Sequence, residues 1–215
     1  MKKNILFLFI IFTTSLVSAQ IRKGSLFLGG DIGGSSLKQK SSSNTSSSQS
    51  GISIAPVFGK AIKDNLFVGV EARLTFLKNR FSSGSTNNQR QDSYGGGLFV
   101  RKYRQIGKGG FSLFLHGRLG GDYYKTEYAY TTPNADRAKT YNIGVSAYPG
   151  VSYAVSKKFQ IESGFNNVIN LSYTHEKRVI LGALPTTYKT SLINLSSSLN
   201  NLASFYVGFR LLFSK

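Results

Sequence analysis

Apolar and polar residues alternate with a period of two along most of this chain. In residues 66–77, every second residue from Leu66 to Phe76 is apolar, and the positions between them include Glu71, Arg73 and Thr75. Successive side chains of a β-strand point to opposite faces of the sheet. The segment is therefore predicted to be a strand with one apolar face and one polar face.

The same alternation recurs in seven further segments, so that eight strands are predicted. The eight segments are 25–32, 52–59, 66–77, 94–101, 111–122, 141–152, 159–171 and 204–213. The connectors between them are alternately short (61–65, 104–110 and 156–158) and long (38–50, 79–92, 127–139 and 174–191). The serine-rich connector 38–50 is expected to be mobile. Alternation continues through 192–201, which predicts that the last strand projects as a hairpin with the strand before it.

The apolar face carries aromatic residues at both ends of the predicted strands. Those near the short connectors are Phe58, Phe111, Phe159 and Phe213, and those near the long connectors are Tyr94, Tyr123, Tyr141 and Tyr173. Outer-membrane barrels have short turns on one side, long loops on the other and an aromatic girdle at each interface. The pattern favours a membrane barrel over the alternative, a secreted soluble β-protein.

The N-terminus has the features of a secretory signal peptide. Lys2 and Lys3 precede an apolar run, which ends in the small residues Val17-Ser18-Ala19. The run is too short for a comfortable membrane anchor, because a spanning helix needs about 20 residues. We expect residues 1–19 to be removed and residues 20–215 to form one barrel domain in the cell outer membrane. No later apolar run approaches helical span length, so a closed barrel is the remaining way to cross a bilayer.

The chain is strongly basic, with a formal net charge of +18, and it contains no cysteine. Disulfides and thiolate metal sites are therefore excluded. For an exported protein, such a charge points to anionic lipid head groups as partners, or to nothing beyond solubility, and not to nucleic acid. Basic residues of the long connectors are candidates for contacts with lipopolysaccharide phosphates, although solvated loops are an equal alternative. These residues are Lys78, Arg80, Arg90, Arg137, Lys139, Lys177 and Arg178.

The mature chain resembles the outer-membrane-protein β-barrel (porin-like) family of small eight-stranded barrels. The resemblance rests on Gln20 after the signal, a glycine-rich opening strand at 24–31, Asp64-Asn65-Leu66-Phe67-Val68-Gly69, and the closing segment 207–213. It implies an eight-stranded antiparallel up-and-down transmembrane β-barrel. It also implies that the barrel-assembly machinery is a partner during biogenesis, reading a terminal aromatic residue such as Phe213.

The polar face of the predicted strands collects ionisable groups that would point into the barrel. The candidate lumen charge network consists of Glu71, Arg73, Arg101, Arg118, Glu162 and Arg210, with Asp31, His116 and Asp122 also inward. An eight-stranded barrel is narrow, and charges inside it must pair. Glu162 and Arg210 are predicted to lie at similar depth and to form an ion pair, with Arg101 and Glu71 nearby. A structural plug is favoured, and a narrow pore or a small ligand pocket stays open.

Catalysis has little support in the sequence. His175-Glu176 has no second histidine four residues on, so the zinc-helix motif is absent, and no G-x-S-x-G elbow occurs. We therefore expect no enzyme, no catalytic residue, no metal and no cofactor. The function predicted is an integral outer-membrane barrel with a structural, surface-interaction or minor-pore role. The alternatives are a small-solute channel and an outer-membrane lipid-modifying enzyme, the latter built on His175, Glu176 and a loop serine.

The predicted signal peptide and girdles give a direct test of location. The mature protein should begin at Gln20, fractionate with outer membrane, and change its gel mobility on boiling, as folded barrels do. N-terminal mass spectrometry and cell fractionation measure the first two properties. Recovery in the soluble periplasm would contradict the barrel.

Overall fold

The computed structural model describes residues 21–40, 46–81, 88–107, 109–129, 135–165, 168–181, 185–197 and 205–213. The strands are β1 (Leu26–Lys40), β2 (Ser46–Lys63), β3 (Leu66–Phe81), β4 (Asn88–Gln105), β5 (Phe111–Ala129), β6 (Ala135–Ala154), β7 (Phe159–Phe165), β8 (Ile169–Ile180), β9 (Thr186–Ser197) and β10 (Phe205–Phe213). The predicted signal segment 1–19 and Gln20 lie outside the described residues.

The strands form a closed antiparallel ring. Each of β1 to β5 pairs with the strand that follows it in the chain, and β7 pairs with both β6 and β10. The ring closes where β1 meets β10, from Leu26 opposite Phe213 to Ile32 opposite Val207. The prediction of an eight-stranded up-and-down barrel is confirmed.

Two of the eight positions in the barrel wall are each formed by two strands, and one of these divides a predicted strand. β7 and β8 both pair with β6 and form the lower and upper parts of one position in the wall. Gly164 lies opposite Gly150, and Ile169 lies opposite Ala147. The chain advances five residues from β7 to β8 while β6, on the other side of the ladder, advances only three. The two extra residues interrupt the ladder, as a β-bulge does. The single predicted strand 159–171 is therefore wrong at this point.

The last wall position is divided in the same way into β9 and β10. β9 pairs with β8 and forms a hairpin with it, from Ile169 opposite Ser197 to Ile180 opposite Thr186. Among the described residues, β9 has no pairing with β1. A hairpin is present as the sequence predicted, but residues 198–204, through which the alternation was expected to continue, lie outside the described part.

The predicted long connectors are mostly strand, and this corrects the sequence interpretation. β1 continues to Lys40 and β2 begins at Ser46, with Lys38 opposite Ser48. Backbone hydrogen bonds hold such a ladder whatever the side chains, so a serine-rich segment extends an existing hairpin. The expected loop is wrong for residues 38–40 and 46–50, and residues 41–45 lie outside the described part. The basic residues assigned to loops also lie in strands: Lys78, Arg80, Arg90, Arg137, Lys139, Lys177 and Arg178.

The two faces of the wall differ as the alternation predicts. The outer face exposes large apolar side chains, among them Leu98, Leu115, Leu119, Ile143, Val145 and Ile169. The inner face buries both aromatic and charged side chains, including Phe27, Phe67, Arg101, Glu162 and Arg210. The sequence therefore places its apolar surface outside and its charges inside, the reverse of a water-soluble domain.

Short turns lie at the lower end of the barrel, where the N-terminal segment is also fixed. Asn65 has a positive φ of 59° in the β2–β3 turn, a conformation that asparagine tolerates better than most residues. Its side chain accepts a hydrogen bond from the Ile21 amide at 3.1 Å, and Asp64 accepts one from the Lys23 amide at 2.7 Å. The turn thereby holds the chain that leads into β1.

The face assignment is tested by arginine substitutions at adjacent positions of β6. Val145 is 52% exposed on the outer face and Ser146 is 4% exposed inside. Val145→Arg should destabilise the protein in lipid by about 2–4 kcal/mol, because the arginine would be placed in hydrocarbon. Val70→Arg should behave alike on β3. The free energy of unfolding is measured by urea titration of the protein in vesicles, with the folded fraction determined from the mobility of unheated samples on gels.

Ser146→Arg is the matched control for the inner face. Ser146 lies opposite Arg118 on β5, so a new arginine there would meet a like charge in a packed interior. Its effect should be insensitive to bilayer thickness, whereas that of Val145→Arg should grow as the bilayer thickens. The same thickness response at both positions would show that the register is wrong.

Candidate functional site: the charge network of the barrel interior

Glu162 of β7 is buried in the barrel interior and contacts three side chains from other strands. Its Oε2 accepts a hydrogen bond from Arg101 Nη1 at 2.5 Å and lies 3.0 Å from Arg210 Nε. Its Oε1 accepts a hydrogen bond from the Tyr103 hydroxyl. Both oxygens of this buried carboxylate are thus satisfied, by two guanidinium groups and one phenol.

Arg210 extends the network towards β1. Its Nη2 lies 2.5 Å from Asp31 Oδ1, and its Nη1 donates a hydrogen bond to the carbonyl oxygen of Gly30 at 2.8 Å. Gly208, two residues before, is opposite Asp31. A Cβ at Gly208 would collide with Asp31 Oδ1, so the glycine makes room for the Asp31–Arg210 contact. β1 and β10 are therefore joined by an ion pair between their side chains as well as by backbone hydrogen bonds.

His116 joins this half of the network to a second half. Arg101 Nε donates to His116 Nδ1 at 3.0 Å, and His116 Nε2 lies 3.3 Å from Glu71 Oε2. Since Nδ1 accepts a hydrogen bond, the ring proton belongs on Nε2, where it faces the carboxylate. The ring is stacked between Phe99 and Tyr148, with centroid distances of 5.2 and 4.6 Å. His116 is a buried connecting residue.

The second half of the network contains Glu71, Arg118 and Asp122. Arg118 Nε lies 2.6 Å from Glu71 Oε1, and Arg118 donates to both oxygens of Asp122 at 3.1 and 3.2 Å. Arg73 lies 3.6 Å from Glu71 at its more exposed edge. A Cβ at Gly95 would collide with Asp122 Oδ1, so the glycine makes room for this carboxylate.

The network as a whole is electrically balanced. It holds the four arginines Arg73, Arg101, Arg118 and Arg210 and the four acids Asp31, Glu71, Asp122 and Glu162, with His116 neutral between them. The eight formal charges therefore sum to zero. Each charge of the set lies against an opposite charge, which is the arrangement in which buried charges are tolerated.

Aromatic side chains pack below and around the network. Phe27, Phe67 and Tyr103 follow one another with ring centroids 5.0 and 5.9 Å apart, and Phe114 is 5.6 Å from Tyr103. The guanidinium of Arg101 lies 4.6 Å from the centroid of the Phe114 ring. Such cation–π contacts stabilise a charge that has lost its water. The interior is thus filled by arginine and aromatic groups together.

The structure brings together all six residues that the sequence predicted for the lumen network. Glu162 contacts Arg210 directly, and Arg101 bridges across the interior to the same carboxylate. Glu71 is not in this group, and it connects only through His116. Glu71 was expected close to the Glu162–Arg210 pair, and the structure places His116 between Glu71 and Arg101.

Sequence reasoning missed the aromatic residues of the interior. Phe27, Phe67, Phe99, Tyr103 and Phe114 occupy inward positions, whereas the aromatic pattern was interpreted only for the outer face. The sequence does indicate their position, because each lies an even number of residues from the inward polar residues of its own strand and therefore points to the same face. Large apolar side chains at polar-face positions indicate a filled interior.

A histidine and a serine lie in contact on the outer face. His175 Nδ1 lies 3.0 Å from Ser191 Oγ, and the Tyr173 hydroxyl donates to the same oxygen at 3.3 Å. Glu176 alternates to the other face of β8, where it accepts a hydrogen bond from Thr140. The three residue types weighed as a catalytic set are therefore not assembled on one face.

The described segments contain no group of three or more His, Cys, Asp or Glu side chains that could hold a metal ion. No helix within them is both long and apolar enough to span a bilayer.

Comparison with solved structures identifies the fold. The chain is similar to a major outer membrane protein from Thermus thermophilus, with a TM-score of 0.51, 9% identity, and 88% of this chain and 99% of that chain covered. Neisserial surface protein A gives a TM-score of 0.37 at 14% identity, covering 91% and 98%. No protein-family model and no curated protein matches the sequence. The fold is that of the outer-membrane β-barrels.

The coupling between Glu162 and Arg210 is measurable by a double-mutant cycle with Glu162→Gln and Arg210→Met. Removing one partner of a buried pair costs about 3–5 kcal/mol, and removing both costs less than the sum. Glu162→Gln should be the costlier single change, because it leaves both Arg101 and Arg210 without their shared carboxylate. Unfolding in detergent gives the four free energies.

A surface pair of the same chain provides the control cycle. Lys125 Nζ lies 2.9 Å from Glu127 Oε1, with both side chains nearly half exposed. Lys125→Met and Glu127→Gln should couple by no more than about 1 kcal/mol. Additive effects of the Glu162 and Arg210 changes would rule out an energetic role for the central contact.

Proposed function

We propose that this protein is an integral outer-membrane barrel whose interior is closed by its charge network and whose role is structural or surface-interacting. The observation that carries the proposal is the inverted arrangement of the wall. Large apolar side chains are exposed on the outer face, while Arg101, Glu162 and Arg210 are at most 1% exposed inside. Such an outer surface suits hydrocarbon, and it would associate or aggregate in water.

The height of the apolar band supports a membrane location. On β5 the outward residues run from Phe111 through Leu113, Leu115 and Leu119 to Tyr123. Tyr123 lies 12 residues after Phe111, which is about 40 Å along a strand. With the usual strand tilt, this becomes about 30 Å along the barrel axis, close to a bilayer core. The aromatic residues at either end would then lie at the two interfaces.

Export fits the same proposal. Residues 1–19 would direct secretion and be removed, and residues 20–215 would form the barrel. β10 ends at Phe213, where it pairs with Leu26 in the closing seam. This aromatic residue is the proposed contact for the barrel-assembly machinery. Outer-membrane lipids, including lipopolysaccharide, are the other proposed partners.

A closed lumen fits the interior better than a small-solute channel. Glu162 is shared by arginines from two strands, β4 and β10, and His116 on β5 extends the contact to Glu71 on β3. Five wall strands, counting β7 with Glu162, are thereby joined across the interior by buried side chains. A continuous water path would have to pass through this layer.

The lipid-modifying enzyme is favoured by one observation only, the His175–Ser191 contact on the outer face. A hydrolase of this type uses a third group to orient its histidine. Glu176 lies on the opposite face of β8 and does not supply it. We therefore propose that the protein is not an enzyme and that it carries no metal or cofactor.

Planar-bilayer recording of the folded protein tests the closed lumen. The wild-type protein should give no steady conductance. Arg101→Ala combined with Arg210→Ala should raise it, because the two largest side chains of the central layer are removed. Lys102→Ala combined with Lys60→Ala changes the charge equally at exposed positions and should remain silent. Steady wild-type channels would support the solute-channel alternative instead.

A further inference from the structure

Four lysines stand side by side on the outer face near the upper end of the barrel. Lys125 of β5 is opposite Lys139 of β6, Lys139 is opposite Lys177 of β8, and Lys177 is opposite Lys189 of β9. We call Lys125, Lys139, Lys177 and Lys189 the lysine row. Neighbouring strands are about 4.8 Å apart, so the row is about 15 Å wide. All four side chains are exposed.

A row of tyrosines lies directly below the lysine row. Tyr94, Tyr123 and Tyr141 are opposite one another on β4, β5 and β6, and the rings of Tyr123 and Tyr141 are 5.1 Å apart. Lys125 is two residues above Tyr123 on β5, and Lys139 is two residues above Tyr141 on β6. Two residues correspond to about 7 Å along a strand. Aromatic residues mark the level of lipid head groups. The lysine row is therefore at the level of those head groups or just outside it.

The charge of the row is mostly uncompensated by the protein. Lys125 is paired with Glu127 at 2.9 Å. The outward neighbours of the other three lysines above and below are Arg137, Val179, Thr187, Tyr141, His175 and Ser191, none of them acidic. Like charges directly opposite one another on a sheet are destabilising. An external anion at Lys139, Lys177 and Lys189 would relieve this repulsion.

Protection of a sheet edge does not explain the row. Lysine on an exposed edge strand discourages pairing with other chains, and this accounts for Lys189 on β9. Lys139 and Lys177 lie on β6 and β8, which are paired on both sides at these positions. Two of the three uncompensated lysines therefore need another reason.

We propose that the lysine row binds phosphate groups on the head group of an outer-leaflet lipid. This proposal rests on the membrane location proposed above. The ammonium groups would meet the phosphates from above, and Ser191, His175 and Tyr141 would offer hydrogen bonds from below. The acyl chains of the same lipid would lie against exposed side chains of the lower wall, such as Ile143 and Ile193. Charge, hydrogen bonding and apolar contact then act on one molecule.

Binding of a defined lipid tests the proposal. Folded protein in phosphatidylcholine vesicles is titrated with bisphosphorylated lipid A and, separately, with the same glycolipid lacking both phosphates. The phosphorylated probe should bind preferentially, and its binding should weaken with added salt. Lys139→Gln/Lys177→Gln/Lys189→Gln should weaken binding roughly tenfold to 100-fold, given the contribution of each lysine near an anionic surface. The corresponding triple change to arginine should restore it.

The lower end of the barrel supplies a control of equal charge. Lys60, Lys63 and Lys102 are exposed there, and their triple change to glutamine should leave binding unchanged. An equal loss in this control, or equal binding of the phosphate-free glycolipid, would overturn the proposal. Displacement by inorganic phosphate at matched ionic strength would show a site for free anions and would also overturn it. Failure of the wild-type protein to insert into vesicles would instead count against the membrane barrel.

Discussion

The narrowness of an eight-stranded ring is the constraint on which the rest of this structure depends. Such a ring has room inside for little more than its own side chains. Polar groups that point inwards lose their water and must find partners among themselves. Glu162 meets this requirement by accepting contacts from Arg101 and Arg210 at once. The eight charged residues around Glu162 and His116 are therefore a single connected network, and they are not independent ion pairs.

The same constraint explains where the barrel uses its smallest residues. Gly208 and Gly95 stand where a carboxylate, Asp31 or Asp122, needs the volume that a Cβ would occupy. Large rings fill the remaining space around the guanidinium groups, as Phe114 does beside Arg101. Glycines thus lie beside the inward carboxylates, and large aromatic rings lie beside the inward guanidinium groups. Packing and electrostatics are satisfied by one arrangement of side chains.

The sequence predicts the faces of this barrel well, because parity along a strand is a local property. It places Glu162 and Arg210 inside at similar depth, and the structure has them in contact. It fails where the answer depends on pairing between strands. The two extra residues between Gly164 and Ile169 shift the register of β8 against β6, and no local pattern reports this shift. His116 as the link between Glu71 and Arg101 likewise depends on the register of three strands.

The closing seam between β1 and β10 determines the order in which the barrel can form. Its partners Leu26 and Phe213 are separated by 187 positions in the chain, whereas the hairpins form between neighbours. Until the seam forms, two strand edges have unpaired backbone groups, which hydrocarbon does not tolerate. The Asp31–Arg210 contact crosses the same seam and forms with it. Closure is therefore a late, non-local event that completes the lower backbone ladder, from Leu26 to Ile32, and the interior charge balance together, and slow folding is its kinetic consequence.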